Sequence, residues 1–565
     1  MTLTDKRWQL ASPITPEADN NLKDYAPTLR QVLFNRGIGT AAEAETFLNA
    51  PLPHTDPFLL LEMGTAVARI RRAITDGERI VIYGDYDVDG VTASVLMVET
   101  LRALNANVDN YIPNRFDEGY GLNKDALTEL KQTGAGLVIT VDCGIRSIPE
   151  AEHARSIGLD MIITDHHSPA ADLPPALAVI NPKRDGDPYP EKLLAGVGVA
   201  YKLACALLKV AGEPLDPESL LDLVAIGTVA DLVPLTGENR PLVRHGLALL
   251  RATRRQGVLS LLGVAGVPPA TLNAGHIGFI IGPRLNAAGR LADAQEAFNL
   301  LTCTDVFKAG ALAQALDDRN RERQEVTRAV QTRADELAGA GDPDKLILFA
   351  LDASFNLGVV GLAAARLVEA HYRPAVVAGQ EGEFTRASCR SIPEFHITAA
   401  LDECADLIDH HGGHAAAAGF TVLTSRYPEL VKRLEAIARR ELGGKDLRPL
   451  LNADAEVPLV DLQASLLKDL DKLQPTGYGN REPAFISRGV LAKSVKAVGK
   501  EGAHLKLVVS DGWVMMDAIA FRQGHWAGKI PPKLDILYNF EMNEFNGRQR
   551  LQLNVKDIKA SEGGL

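Results

Sequence analysis

The sequence predicts an α/β protein in which two α/β units, joined by a long helix, are followed by a small all-β barrel. Three observations predict it. Short apolar runs alternate with helical stretches from about residue 65 to residue 240, and the alternation begins again near Lys345. From about residue 450 the pattern changes to five short strand-like segments separated by Gly and polar turns. Alternating short buried strands and helices form a parallel sheet covered on both faces. Five short strands with tight turns suit a closed barrel of the OB type.

Taken in order, residues 1–55 read as short helices broken by Pro13, Pro16, Pro27, Pro51 and Pro53. Arg79–Tyr83 is a strand, followed by a turn and a helix over Thr92–Leu104; Val108–Pro113 is a second strand. Leu137–Val141 and Met161–Thr164 are continuous apolar runs, each ended by an acidic residue, with helices between them that include Ile148–Ile157. Gly196–Val210 and Leu220–Val229 are apolar helices. Phe307–Leu337 is a long helix whose run Asp317–Arg323 alternates in charge, which reads as a solvated connection. The second unit opens with the strand Leu346–Ala350 and closes with a helix near Arg439–Arg440, before the linker Leu442–Pro449. The expected strands of the barrel are Phe485–Val490, His504–Val509, Val514–Phe521, Leu534–Phe540 and Arg550–Val555. The expected divisions are therefore 1–55, 56–240, 241–344, 345–449 and 450–565.

Composition narrows the chemistry. The chain has 565 residues and a net charge of −12, which disfavours a basic nucleic-acid coating protein. The whole carboxylate excess lies within residues 56–240. Such a block is either a solvated acidic face or a cation site. No run of about 18 apolar residues occurs, so no membrane span is expected. The first ten residues lack the basic-then-apolar order of a signal peptide. The five cysteines form no C-x-x-C pair, and a reducing cytoplasm is the expected location.

Position along the chain decides what the acidic block does. Asp85, Asp87 and Asp89 occupy alternate positions after the first strand, and alternate side chains of an extended segment point the same way. Clustered carboxylates repel one another unless a cation or protons neutralise them. The string also resembles the opening of an EF-hand loop, but the twelfth position would be Leu96 rather than Glu and a strand precedes it. Asp142 follows the strand ending at Val141, and Asp165-His166-His167 follows the strand ending at Thr164. In parallel sheets, ligands bind outside the carboxyl ends of strands. Asp231 follows the apolar helix ending at Val229 and needs a partner there. Carboxylates with imidazoles and no thiolates suit Mn²⁺ or Mg²⁺, and so many ligands suit two ions. In the barrel, Arg and Lys alternate with Trp513, Phe521, Trp526, Tyr538 and Phe545; these aromatics suit either a stacking surface for single-stranded nucleic acid or the barrel core.

The strings Gly84–Gly90, Val141–Gly144, Thr164–His167 and Ala230–Pro234 resemble the four motifs of the DHH phosphoesterase superfamily. Ser388-Cys389-Arg390-Ser391 and Gly412–Gly419 resemble its DHH-associated partner domain. Pro113–Gly121, Gly282–Arg290 and the β-rich tail extend the likeness, over nearly the whole chain, to the bacterial RecJ branch of single-strand-specific 5′→3′ DNA exonucleases. The resemblance implies metal ligands at Asp85, Asp87, Asp89, Asp142, His166 and Asp231. It implies catalytic roles for Asp87, Asp142, His166 and His167, and substrate-phosphate contacts at Arg115, Arg284, Ser388, Arg390, Ser391 and His414. It further implies Mn²⁺ or Mg²⁺ as cofactor, single-stranded DNA as substrate in repair and recombination, and a single-strand-binding protein and a helicase as partners. Two rivals are a superfamily phosphodiesterase acting on short oligonucleotides or nucleotide phosphates, and an inactive scaffold. Two positions depart from the pattern. Tyr83 stands where many members have a metal-binding His, which would shift the first metal onto Asp85. Ala387 replaces an expected Gly, which would tighten the phosphate pocket.

Overall fold

The computed structural model of the chain describes residues 5–113, 121–291, 293–339, 341–342, 344–545 and 548–561. The chain forms two compact units, one of Leu10–Asp317 with Ala453–Leu565, the other of Met1–Gln9 with Asp318–Asn452.

The first unit contains a parallel sheet of β1 (Arg79–Gly84), β2 (Val108–Tyr111), β3 (Ala135–Val141), β4 (Asp160–Thr164) and β5 (Ala178–Ile180), in the order β2-β1-β3-β4-β5. All four pairings are parallel, with Gly84 opposite Val141 and Val141 opposite Thr164. The three central strands therefore end level with one another. Their side chains are buried on both faces: Ile80, Ile82, Leu137 and Ile139 face one apolar cluster, Val81, Tyr83, Val138 and Ile163 the other. This explains why their sequences read as unbroken apolar runs. Helices α1 (Val88–Ala103), α2 (Gly196–Ala211) and α3 (Leu221–Ala230) cover the first face. A π-helical turn at Ile277–Ile281 leads into α4 (Gly282–Leu291).

The barrel belongs to this unit. Its strands are β11 (Phe485–Val498), β12 (His504–Ser510), β13 (Met515–Ala520), β14 (Lys533–Phe545) and β15 (Arg548–Ala560). The order β11-β12-β13-β15-β14 closes through a β14–β11 pairing, with β13 and β15 parallel. That is the five-stranded closed OB topology. Its core is shared with the N-terminal helices: Leu22, Leu29, Val32 and Leu33 pack in one cluster with Phe485, Leu507, Ile536 and Val555. The short helices that the sequence predicts before residue 55 thus supply part of the barrel's apolar foundation. Tyr538 lies in this core and its hydroxyl is 2.8 Å from Ser487 Oγ, so it is not a stacking surface. Trp513 (91% exposed) and Phe521 are open to solvent, and Trp526 is half-buried. The Phe545 side chain lies outside the described residues.

In the second unit, β6 (Leu348–Leu351) and β7 (Ala375–Glu381) pair in parallel, whereas β8 (Phe384–Arg390), β9 (His410–His414) and β10 (Ala417–Leu423) extend the sheet antiparallel, in the order β9-β10-β8-β7-β6. The long helix α5 (Val306–Ala338) differs from its sequence reading. Asp317 and Asn320, inside the alternating charge run, are each 1% exposed rather than solvated. No helix among the described residues is long and apolar enough to cross a membrane.

Candidate metal centre and phosphate-binding residues

The strand-to-helix turn after β1 is built differently from the extended segment that the sequence implies. α1 begins at Val88, with Asp87 as its N-cap: Asp87 Oδ1 accepts from the backbone N–H of Asp89 (2.9 Å) and Gly90 (3.2 Å). Asp89 therefore sits in the first helical turn, near the positive end of the helix dipole. The three carboxylates converge because the chain reverses, not because alternate residues share a face. Gly90 makes the reversal possible, since a Cβ there would lie 2.5 Å from Asp85 O and 2.6 Å from Asp85 N.

Asp85 and Asp142 follow β1 and β3, and Asp165-His166-His167 follow β4, so the level ends of three adjacent strands present them together. Asp142 has φ +63°, a left-handed conformation in which Asp is tolerated better than most residues. Gly196 allows α2 to abut it, because a Cβ would come 2.5 Å from Asp142 Oδ1. α2 has no side-chain cap of its own, and Asp89 provides one, its Oδ2 accepting from Gly196 N (2.6 Å) and Oδ1 from Val197 N (2.8 Å). Asp231 caps the C-terminus of α3. His166 lies at the centre, its Nε2 3.2 Å from Asp142 Oδ1, 3.5 Å from Asp231 Oδ2 and 3.9 Å from Asp89 Oδ2.

The electrostatics call for neutralisation by a cation or by protons. Burial pushes the Asp85 and Asp142 carboxyls well above the usual range, and neighbouring carboxylates push further. Burial and then Asp87 raise Asp89 to about 7; burial and then Asp89 raise Asp231 to about 8. His166 is pushed down to about 3, first by burial and then by the charge of His167, so its imidazole is neutral and free to be a ligand. Asp142 Oδ1 and both ring nitrogens of His166 are buried without a hydrogen-bond partner. Three donor sets each have ligand atoms within 4.8 Å of one another: Asp85/Asp87/Asp142, Asp89/His166/Asp231 and Asp142/His166/His167. Orphaned acceptors among repelling carboxylates fit a divalent metal, and the sharing of Asp142 and His166 between sets fits two adjacent ions.

Asp165, quoted from the sequence only as part of a motif, has a different task. Its Oδ1 accepts from the N–H of His166 (2.7 Å) and His167 (3.0 Å) and meets His167 Nδ1 at 2.8 Å; its Oδ2 accepts from Ile145 N (2.9 Å). Bonded to the His167 ring and belonging to none of the three donor sets, Asp165 orients His167 rather than binding metal. Burial works to lower His167, but the bond to Asp165 and that carboxylate's charge outweigh it and raise the imidazole to about 9.

Among the predicted phosphate contacts, Arg115 lies outside the described residues. Arg284, on α4, is held by buried Asp317, Nε to Oδ1 2.9 Å, and donates to Ile280 O. Asp317 is thus a positioning residue hidden in what reads as a solvated charge run. The same helix clamps the metal loop: Asn286 Oδ1 accepts from Val88 N (3.2 Å), and a Cβ on Gly289 would lie 2.6 Å from Tyr86 O. In the second unit, Arg390 donates to Ser388 Oγ (3.0 Å), bringing those two together on β8. Ser391 Oγ instead donates to Phe395 O (2.7 Å), and His414 is exposed at the end of β9. Ala387 faces away from Ser388 into the apolar core, so its methyl does not tighten a phosphate pocket. Tyr83 is buried, with its hydroxyl donating to Gly121 O (3.3 Å) and its ring 5.0 Å from Tyr111, on the sheet face away from the helices that carry the centre.

Residues 79–228 match the DHH family, N-terminal domain; residues 344–440 match the DHHA1 domain; residues 453–557 match the RecJ OB domain. The chain is 39% identical, over all of its length and 72% of the relative's, to the single-stranded-DNA-specific exonuclease RecJ of Bacillus subtilis. The chain belongs to the RecJ family. The Escherichia coli RecJ is 34% identical over 95% of this chain and 96% of its own length. A crystal structure of RecJ from Thermus thermophilus in complex with Mn²⁺ superposes with a TM-score of 0.85 at 31% identity, over 99% of this chain and 81% of that one; its Mg²⁺ complex gives 0.79. The RecJ family's domain series thus accounts for both α/β units and the barrel.

Proposed function

We propose that the chain is a metal-dependent exodeoxyribonuclease that hydrolyses phosphodiester bonds from the 5′ end of single-stranded DNA, in repair and recombination. One observation carries the chemistry: Asp142 Oδ1 and the His166 ring nitrogens are buried and unpartnered among Asp85, Asp87, Asp89 and Asp231, at the level ends of three parallel strands. The relatives' names, over the full length of the chain, support the substrate. Bound in this centre, Mn²⁺ or Mg²⁺ would supply Lewis-acid charge facing the phosphate and the attacking water. The chain's own part is orientation and proton handling. Asp87 and Asp89 are locked by the helix caps they form, Asp142 is held by burial against Gly196, and neutral His166 offers a nitrogen. His167, held by Asp165 at Nδ1, presents a protonated ring with its side chain 41% exposed, suited to protonating the leaving oxygen. Arg284, Arg390 and Ser388 offer donors for phosphates, and exposed Trp513 and Phe521 offer stacking surfaces for the strand. The enzyme works in the cytoplasm, where five free cysteines stay reduced, beside a single-strand-binding protein and a helicase.

The test uses single-stranded DNA labelled at either end, with Mn²⁺, Mg²⁺ or EDTA. Wild type is expected to release label from the 5′ end first, only with metal, and Asp87→Ala to abolish release. Arg284→Ala is expected to raise KM. Wild-type cutting by Asp87→Ala would overturn the metal assignment, and cutting confined to dimers and trimers would overturn the substrate.

A further inference from the structure

We propose that Lys183, which lies in none of the DHH-family motifs of the chain, is a phosphate-binding residue of the metal centre, holding a non-bridging oxygen of the phosphate seated there. The proposal rests on the hydrolase reading of the same site. It starts from topology. β5 lies beside β4, so the segment Asn181-Pro182-Lys183-Arg184 leaves the sheet at the edge where Asp85, Asp142 and Asp165–His167 converge.

That segment is fixed rather than free. The buried Asn181 amide donates to His167 O (2.9 Å), its Oδ1 accepts from Lys183 N (2.8 Å), and Arg184 N donates to Asn181 O (3.2 Å). Arg184 is anchored in turn by Glu62 at 2.9 Å. The Lys183 backbone is therefore tied through one side chain to the backbone of the DHH motif.

The Lys183 ammonium differs from its neighbours. Lys202 pairs with Glu238 at 2.9 Å and Lys192 with Asp187 at 3.6 Å. Half-buried Lys183 has no ion pair or hydrogen bond at Nζ among the described residues, although the charges of Asp231 and Asp165 reach it. No carboxylate of the described residues comes within 4.0 Å of the ammonium, and a cation that senses two carboxylates without touching either leaves room for an anion between. If metal alone filled the centre, Lys183 would repel it. A metal-bound phosphate supplies the missing counter-charge, and a lysine acts on phosphate as a compact point charge.

The experiment compares wild type, Lys183→Gln and Lys183→Arg in Mn²⁺, measuring kcat/KM on single-stranded DNA, inhibition by inorganic phosphate, and Mn²⁺ affinity by calorimetry. Lys183→Gln is expected to lower kcat/KM by about 100-fold, the usual loss when one preorganised charged donor is removed. It should weaken phosphate inhibition while leaving Mn²⁺ affinity unchanged or tighter, and Lys183→Arg should restore most of both. Unchanged rate and inhibition in Lys183→Gln would overturn the proposal. A loss explained entirely by weaker Mn²⁺ binding or a lowered Tm, without rescue by Arg, would also overturn it. If wild type itself does not cut, the exonuclease reading fails first; if wild type cuts and Lys183→Gln cuts equally, only this inference fails.

Discussion

At Asp142 three demands meet: a left-handed backbone, complete burial, and an oxygen without a partner. The carboxylates around it bind protons more tightly folded than unfolded, Asp89 at about 7 and Asp231 at about 8 against an ordinary value of 3.8. Because the folded pKa is raised, each contribution is whole below the unfolded pKa and is lost as pH rises through the folded one. The metal-free protein should accordingly show a Tm that falls between pH 5 and pH 8, whereas saturating Mn²⁺ should flatten or reverse the slope. A metal-free Tm that rises over that range would show that these groups do not repel as described. Since ligand carboxylates must shed protons to bind metal, Mn²⁺ affinity should weaken below about pH 7. Asp165→Asn should cost about 100-fold or more in kcat by releasing His167 from its orientation, with Mn²⁺ affinity retained. An unchanged kcat would remove His167 from the proton-transfer role. The acids at strand ends were legible because a carboxylate that closes a buried apolar strand sits where parallel sheets bind ligands, and burial there is costly without a counter-charge. Asp165's duty was not, since only the distances distinguish a ligand from an orienting group.

Two elements hold the centre together, and each depends on one close approach. α2 reaches Asp142 only because Gly196 lacks a side chain. Gly196→Ala should force a backbone shift costing about 1–3 kcal/mol, and because the shift falls on a ligand, Mn²⁺ affinity should drop with the Tm. Calorimetry on the variant checks both; retained affinity with a lowered Tm would separate α2 from the metal. α1 shows why the sequence misled about the Asp85–Asp89 geometry. Val88, Gly90 and Val91 are poor helix formers, which moves the expected helix start to Thr92. The Asp87 cap and the need for a residue without a Cβ at position 90 outweigh those local preferences. In α5, likewise, an alternating charge run conceals Asp317, whose burial against Arg284 depends on residues more than thirty positions away.

For the whole molecule, periodicity gave the order of sheets and barrel, because short apolar strands and their turns are local signals. It could not give the union of the N-terminal helices with the barrel, since nothing local marks two amphipathic faces as partners. Leu29 tests that union. Fully buried in the shared cluster, Leu29→Ala should destabilise the barrel by about 2–5 kcal/mol. Fluorescence of Trp513 and Trp526 during urea unfolding would follow it. An unaltered transition would mean that the N-terminal helices are an independent appendage.

That shared cluster also sets a timetable. Leu22–Leu48 must meet Val457–Ile558, so these residues find their partners only after more than four hundred later ones have been made. At about 5–20 residues per second the wait is roughly 20–90 s, during which an apolar helical surface has nothing of its own chain to cover it. Protease pulses on stalled nascent chains should find residues 16–49 cleavable until the barrel strands emerge, and protected afterwards.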